Sequence, residues 1–282
     1  MRFTRLGMAV LVLAAVVTAA FAAGPKPSLQ TTEMGTGGAT MVLVHGMGGT
    51  RTDWLPLLKR LKDRYKLVMV ELPGHGSSPL PEPFSLEAAA DQLDSVLALQ
   101  KPESTIVVGH GLGGMLALKA MARHPGRARG LVLIDAALKS PVPVEDQQIK
   151  QLVRFMDENY PTFSQMVFAK MGRDSAESAI LYAKMAAVQP VTVKSFMRNL
   201  LLADANRDLK SLGMPVELVF SERLWKSDKS WGEVAKNFGY EDTTIAVPHR
   251  VANAGMLVMK DQPDSLAAIL ASYGAARLAG GK

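Results

Sequence analysis

Residues 105–120 read "TIVVGHGLGGMLALKA", and two patterns meet there without a linker. Thr105 to Val108 is an apolar, β-branched run of strand length, whereas Leu112 onward is rich in strong helix formers. Between them Gly109, Gly111, Gly113 and Gly114 crowd around His110 and Leu112. Glycine at that density marks a strand-to-helix turn in which backbones approach closely or φ turns positive.

The same alternation continues on both sides. Strand-like runs are expected at 40–46, 66–72, 129–137 and 214–220, with a further strand within 243–253. Helical patterns fall at 51–64, 85–100 (opened by Ser85), 230–238 and 264–278. Continuous apolar strands separated by helices imply an α/β domain with a mostly parallel sheet covered on both faces. The rhythm breaks from Leu138 to about Leu209, where only helical patterns rich in Met and Phe occur, such as Phe155, Met156, Phe163 and Met197. The expected organisation is core at 23–138, a helical cap or lid at 139–209, and core again at 210–282.

Residues 1–22 carry Arg2 and Arg5, an apolar run over 6–21 and the small-residue site Ala20-Phe21-Ala22, the pattern of a secretory signal peptide. The run is shorter than the ~20 residues that span a bilayer, so cleavage is expected, with no stable membrane insertion afterwards. Of 282 residues 48% are hydrophobic and 21% charged, which excludes pervasive disorder. Cysteine is absent, which excludes disulfides and an acyl anchor on cysteine. Losing residues 1–22 lowers the net charge from +6 to +4, and no basic run interleaved with aromatics points to nucleic acid. No His/Asp/Glu cluster has metal-ligand spacing, and the Gly-rich stretches lack the Lys-Ser/Thr of a P-loop, so no metal or other cofactor is expected.

Four segments in order carry a resemblance: "VLVHGMGGTRTDW" from Val42, "ELPGHGSSP" from Glu71, "VVGHGLGG" from Val107 and "NAGMLVMKDQPDSL" from Asn253. Together they resemble the capped, GxSxG-type branch of the α/β-hydrolase superfamily over nearly all of the chain beyond the signal segment. The resemblance implies a nucleophile elbow at Gly111, an acid soon after the 214–220 strand at Leu224, and a histidine at Met256. All three catalytic positions are then substituted. Glycine has no Oγ, so no acyl-enzyme forms there. Losing the acid and the histidine together avoids stranding a buried polar partner.

What the resemblance leaves is binding apparatus: the backbone N–H groups of Met47 and Leu112, with Gly46 and His45 shaping the loop. Two other groups retain chemistry. His249, paired with Asp135 or Glu222, would activate water without a serine. Its reach depends on whether the last strand is "TTIAV" or "RVANA". The expected function is therefore an exported, non-catalytic pseudohydrolase. It would hold a small apolar or carboxylate/ester ligand, or an envelope protein partner, in the former pocket. The alternative is an active hydrolase or lyase-like enzyme built on His249.

Overall fold

Residues 41–44, 67–70, 106–108 and 130–134 are apolar at every position and buried, as strands covered on both faces must be. The computed structural model describes residues 28–140, 146–240 and 245–279. The signal-peptide segment thus lies outside the described residues, as does 141–145 within the expected cap. Seven strands form one sheet: β1 (Thr31–Met34), β2 (Ala39–Val44), β3 (Tyr65–Val70), β4 (Thr105–His110), β5 (Gly130–Ile134), β6 (Val216–Ser221) and β7 (Ala246–Val251). Their order is β1-β3-β2-β4-β5-β6-β7, with only β1 antiparallel to its neighbour. β2 has β3 on one side and β4 on the other, so the chain reverses its winding there. That opens a crevice between the carboxyl ends of β2 and β4.

Helices α1 (Leu55–Leu61), α2 (Leu86–Leu97) and α3 (Leu112–Arg123) follow the early strands. Ser85 caps α2 through the Ala88 N–H, which satisfies one of the otherwise unpaired first-turn donors. Helices α4 (Asp146–Glu158), α5 (Tyr160–Phe168), α6 (Ser175–Ala186), α7 (Pro190–Leu200) and α8 (Asn206–Ser211) all lie between β5 and β6. The chain ends with α9 (Trp231–Phe238), α10 (Val258–Asp261) and α11 (Pro263–Leu278). One face of the sheet packs on α2, α3, α8 and α9, and the other on α1, α10 and α11. A third apolar cluster, around Met156, Phe163, Phe168 and Val193, belongs to the inserted helices.

The β4–α3 junction sets the geometry of the crevice. A Cβ at Gly113 would run into the carbonyl oxygens of His45 and Val44, and one at Gly109 into Gly114 and Gly113. Helix and strand therefore cross with their backbones in contact. Gly111 itself takes φ 52° and ψ −117°, a region that side-chain-bearing residues rarely adopt. Yet a Cβ there would meet nothing nearer than the Gly46 Cα at 3.9 Å. Strain is local at this position, and the space is open.

These two kinds of glycine separate in stability measurements. Gly113→Ala should cost about 1–3 kcal/mol through overpacking of a backbone that cannot yield. Gly111→Ala has only backbone strain to carry, on the order of 1 kcal/mol. Urea denaturation of the two variants checks this, with G113A the less stable.

Candidate active site

At the end of β2 the chain turns through His45-Gly46-Met47-Gly48-Gly49, and three buried polar side chains hold that turn. The His45 ring reaches the Gly46 carbonyl through Nδ1 (2.8 Å), while its Nε2 lies within hydrogen-bond distance of both the Leu72 N–H (3.1 Å) and Glu71 (3.2 Å). Arg51 donates to the other Glu71 oxygen at 2.7 Å. Burial raises the Glu71 carboxyl, but the hydrogen bonds and charges of His45 and Arg51 outweigh it and hold it down at about 2. His75 Nε2 accepts the Gly48 N–H at 3.1 Å, with Nδ1 against the Pro73 carbonyl at 3.0 Å. Burial pushes the His75 imidazole down to about 4, so it is neutral at pH 7 and free to accept. His45 and His75 thus brace the turn through its backbone, at the Gly46 carbonyl and the Gly48 N–H.

Across the crevice, the Gly111 N–H donates to the Ile134 carbonyl at 2.8 Å, which places Asp135 beside it at the end of the next strand. Gly111, Leu112, Met115, Asp135, Met197 and Leu200 line one pocket of about 260 Å³. Its walls are largely apolar, with the first turn of α3, Asp135, Lys139 and Ser140 as the polar lining. The amides of that turn have no acceptor within the helix, and the helix dipole favours negative charge there. Asp135 Oδ1 accepts the Ser221 N–H at 2.7 Å, and Oδ2 is buried without a partner. Burial raises this carboxyl to about 7 against the opposing pull of Ser221 and the Arg223 charge. Its φ is 45°, one of two positive values at non-glycine residues among those described. Strain, an unpartnered oxygen and a displaced pKa coincide at one pocket residue, the combination that marks functional sites.

The remaining sequence-derived residues are dispersed. Met256 lies in a separate cavity of about 40 Å³ with His45, Gly46, Met47 and His110. Its N–H donates to Glu177 Oε1 of α6 at 3.0 Å. Leu224 packs, half-buried, on the apolar cluster under α9. Met47 lines the smaller cavity and Leu112 the larger, so the two expected amide donors flank the crevice from opposite sides. His249 lies inside β7, opposite Val219, and bonds Glu217 of β6. Glu222 accepts from Arg250 (2.7 Å) and from the Asn253 N–H (2.6 Å). The structure therefore does not bring His249 to Asp135 or Glu222. Its strand register, with neither "TTIAV" nor "RVANA" as the whole strand, points it to Glu217 instead. Asp135 alone of the three reaches the pocket.

Three further residues carry polar contacts that the sequence reading did not single out: Glu177, Arg223 and Asp53. Asp53 is buried and binds Lys184 of α6 (3.0 Å) and Lys260 (2.8 Å). Burial raises its carboxyl, but Lys260, the Thr50 N–H and Lys184 outweigh it and hold it below the usual range. Nothing local in the sequence signals these pairings, which span 131 residues in the Asp53–Lys184 case. Among the described residues, no group of three or more His, Cys, Asp or Glu could hold a metal ion. No described helix is long and apolar enough to cross a membrane.

This strand–turn–helix pocket, with its glycine-rich loop opposite, is the architecture of an α/β-hydrolase. The family model described as "Alpha/beta hydrolase family" matches residues 41–269, and the chain belongs to that family. Among curated proteins it is similar to a pimeloyl-[acyl-carrier protein] methyl ester esterase of Neisseria meningitidis. The two are 41% identical over 91 residues, 32% of this chain and 34% of that protein. The Pseudoalteromonas atlantica protein of the same name is 29% identical over 164 residues, covering 54% and 61%. The chain's match with the first of these relatives thus spans about a third of their length. Among solved structures, a hydrolase from Oleispira antarctica superposes with TM-score 0.73 at 19% identity, covering 88% of this chain and 95% of that one. A thermophilic esterase from Thermogutta terrifontis gives 0.69 at 20%, covering 87% and 92%. The curated relatives are named as esterases, which overturns the expectation of a non-catalytic pseudohydrolase.

The raised Asp135 carboxyl has a consequence for stability. Its folded pKa, about 7, lies above the unfolded value of 3.8, so the native state retains a proton that the unfolded chain releases between those values. Stability linked to Asp135 is therefore present below pH ~4 and is lost as pH rises through 7. Asp135→Asn should remove that slope, gaining on the order of 2–4 kcal/mol relative to wild type at pH 8 and little at pH 4. Urea titrations at the two pH values give the comparison.

Proposed function

We propose that this chain is an ester hydrolase that uses water activated by Asp135 in place of a serine nucleophile. On this reading Gly111, Leu224 and Met256 stand where the family's serine, acid and histidine stand, so no acyl-enzyme forms. The observation that carries the proposal is Asp135, a lining residue of the Gly111 pocket whose Oδ2 is buried without a partner and whose pKa is raised to about 7. A base poised near the working pH is the efficient choice for proton transfer. The esterase names of the relatives support the same reaction class.

The open space at Gly111 would accommodate the attacking water. Asp135 takes its proton as the oxygen adds to the ester carbonyl, and the tetrahedral oxyanion lies against the first-turn amides of α3. Collapse breaks the C–O bond, and the proton on Asp135 passes to the leaving alkoxide. Ester and water thus give acid and alcohol, with the carboxylate regenerated. The apolar walls from Leu112, Met115, Met197 and Leu200 suit an acyl chain.

With 4-nitrophenyl butyrate, kcat/KM should rise with an apparent pKa near 7, set by ionisation of Asp135. Asp135→Asn should lower it by about 10²–10⁴-fold while the protein remains folded. A fluorophosphonate should leave the protein unlabelled. Full activity in D135N, or stoichiometric labelling, would sink this assignment.

A further inference from the structure

A cleft of about 650 Å³ opens between the inserted helices and the ends of β6 and β7. Gly172, Arg173, Glu222, Arg223, Lys226 and Asn253 line it. Most of the basic side chains around it are already matched. Arg173 faces Asp174 (3.5 Å), Glu177 (3.9 Å) and Asp261 (3.5 Å). Arg250 holds Glu222, and Lys229 holds Glu233 at 2.9 Å.

Arg223 and Lys226 differ from these. The half-buried Arg223 guanidinium reaches the Met256 thioether at 3.5 Å, a weak acceptor for a group with five donors. Among the described residues neither Arg223 nor Lys226 has a carboxylate within ion-pair distance. Drawing a guanidinium partly out of water without a counterion is costly, and an arriving anion offsets that cost. Arg223 follows by two residues the Ser221 whose N–H holds Asp135, and its charge is felt at Asp135. The cleft and the catalytic pocket are thus neighbours across the end of β6.

We propose that Arg223 and Lys226 form a subsite for a carboxylate or phosphate carried at the end of the substrate remote from the ester. As a substrate assignment this rests on the Asp135 reading, whereas the anion-binding property does not. The planar fork of Arg223 fits two oxygens of such a group, and Lys226 adds an adjustable point charge at the rim.

Two esters of equal acyl-chain length test it: the 4-nitrophenyl monoester of glutaric acid, which carries a free carboxylate, and 4-nitrophenyl valerate, which does not. Wild type should favour the glutarate ester through KM, and 1 M salt should abolish the preference, because screening reaches ~3 Å there. Arg223→Gln should raise KM for the glutarate ester about tenfold while leaving KM for the valerate ester near wild type. Lys226→Gln should do the same to a lesser degree, with valerate hydrolysis unchanged. A second arm is independent of turnover: calorimetric titration of full-length protein with glutarate and with inorganic phosphate, weakened in both variants. The stronger of the two ligands identifies the anion. Equal KM for the two esters in wild type, or glutarate and phosphate binding indifferent to both substitutions, would overturn the subsite. If Asp135→Asn leaves hydrolysis intact yet the titration still depends on Arg223, the mechanism fails and the anion site stands.

Discussion

The backbone contact between β4 and α3 is the constraint from which the site follows. Gly113 lets the helix lie against the carbonyls of Val44 and His45, and Gly109 and Gly114 let strand and helix touch. That contact aims the first turn of α3 into the crevice between β2 and β4. It also forces the reversal at Gly111 and the hydrogen bond from Gly111 N–H to Ile134. Asp135 is next in the chain after Ile134, so the contact that builds the helix terminus also sets a carboxyl next to it. The first-turn amides of α3 and the Asp135 carboxyl are therefore placed by one packing event, with rigid elements beneath both.

Two buried carboxyls near the crevice show how environment divides their roles. Glu71 is bonded by Arg51 and faced by His45, and stays ionised down to about 2. Asp135 receives one backbone N–H and a more distant guanidinium, and burial prevails, raising it to about 7. The first is a fixed charge that anchors the glycine-rich turn. The second is the only one of the pair that changes protonation near neutrality, which is how such sites separate structural from proton-transferring acids. Neutral His75 extends the same logic, since only an uncharged imidazole can accept the Gly48 N–H.

The sheet was readable because residues 41–44, 67–70, 106–108 and 130–134 are apolar at every position, and the elbow because glycine recurs at 109, 111, 113 and 114. The last strand was ambiguous for a physical reason. "TTIAVPHRVANA" is polar and apolar in no strict alternation, so two registers fit, and β7 in fact joins the end of one to the start of the other. His249 then turns to Glu217 on the face covered by α11. Asp135 was legible as a strand-end acid, but its positive φ and unpartnered oxygen depend on neighbours 86 residues away in sequence, at Ser221. The glycine at 111 is visible in one letter, whereas its distance to Asp135 follows only once β4 and β5 are paired.

The inserted helices roof both cavities, but they are fastened differently on the two sides. On α6, Glu177, Leu181, Lys184 and Met185 share one helical face toward the core. Glu177 accepts the N–H groups of Met256 and Arg173, and Lys184 binds buried Asp53. Gly255 belongs to the same fastening, because a Cβ there would run into the Glu177 carboxylate. On α7, over the Asp135 pocket, the attachment is mainly apolar: Phe196 is fully buried against Phe84, with one hydrogen bond from Thr192 to the Gly74 carbonyl. Lifting α6 strands a buried carboxylate at Glu177 and takes one of two cations from Asp53, penalties of several kcal/mol for an unpaired buried charge. Shifting α7 trades apolar area, which scales gradually with displacement at ~25 cal/mol per Å². The roof is therefore hinged by its chemistry: rigid where charges are buried, and yielding over the pocket that holds Asp135.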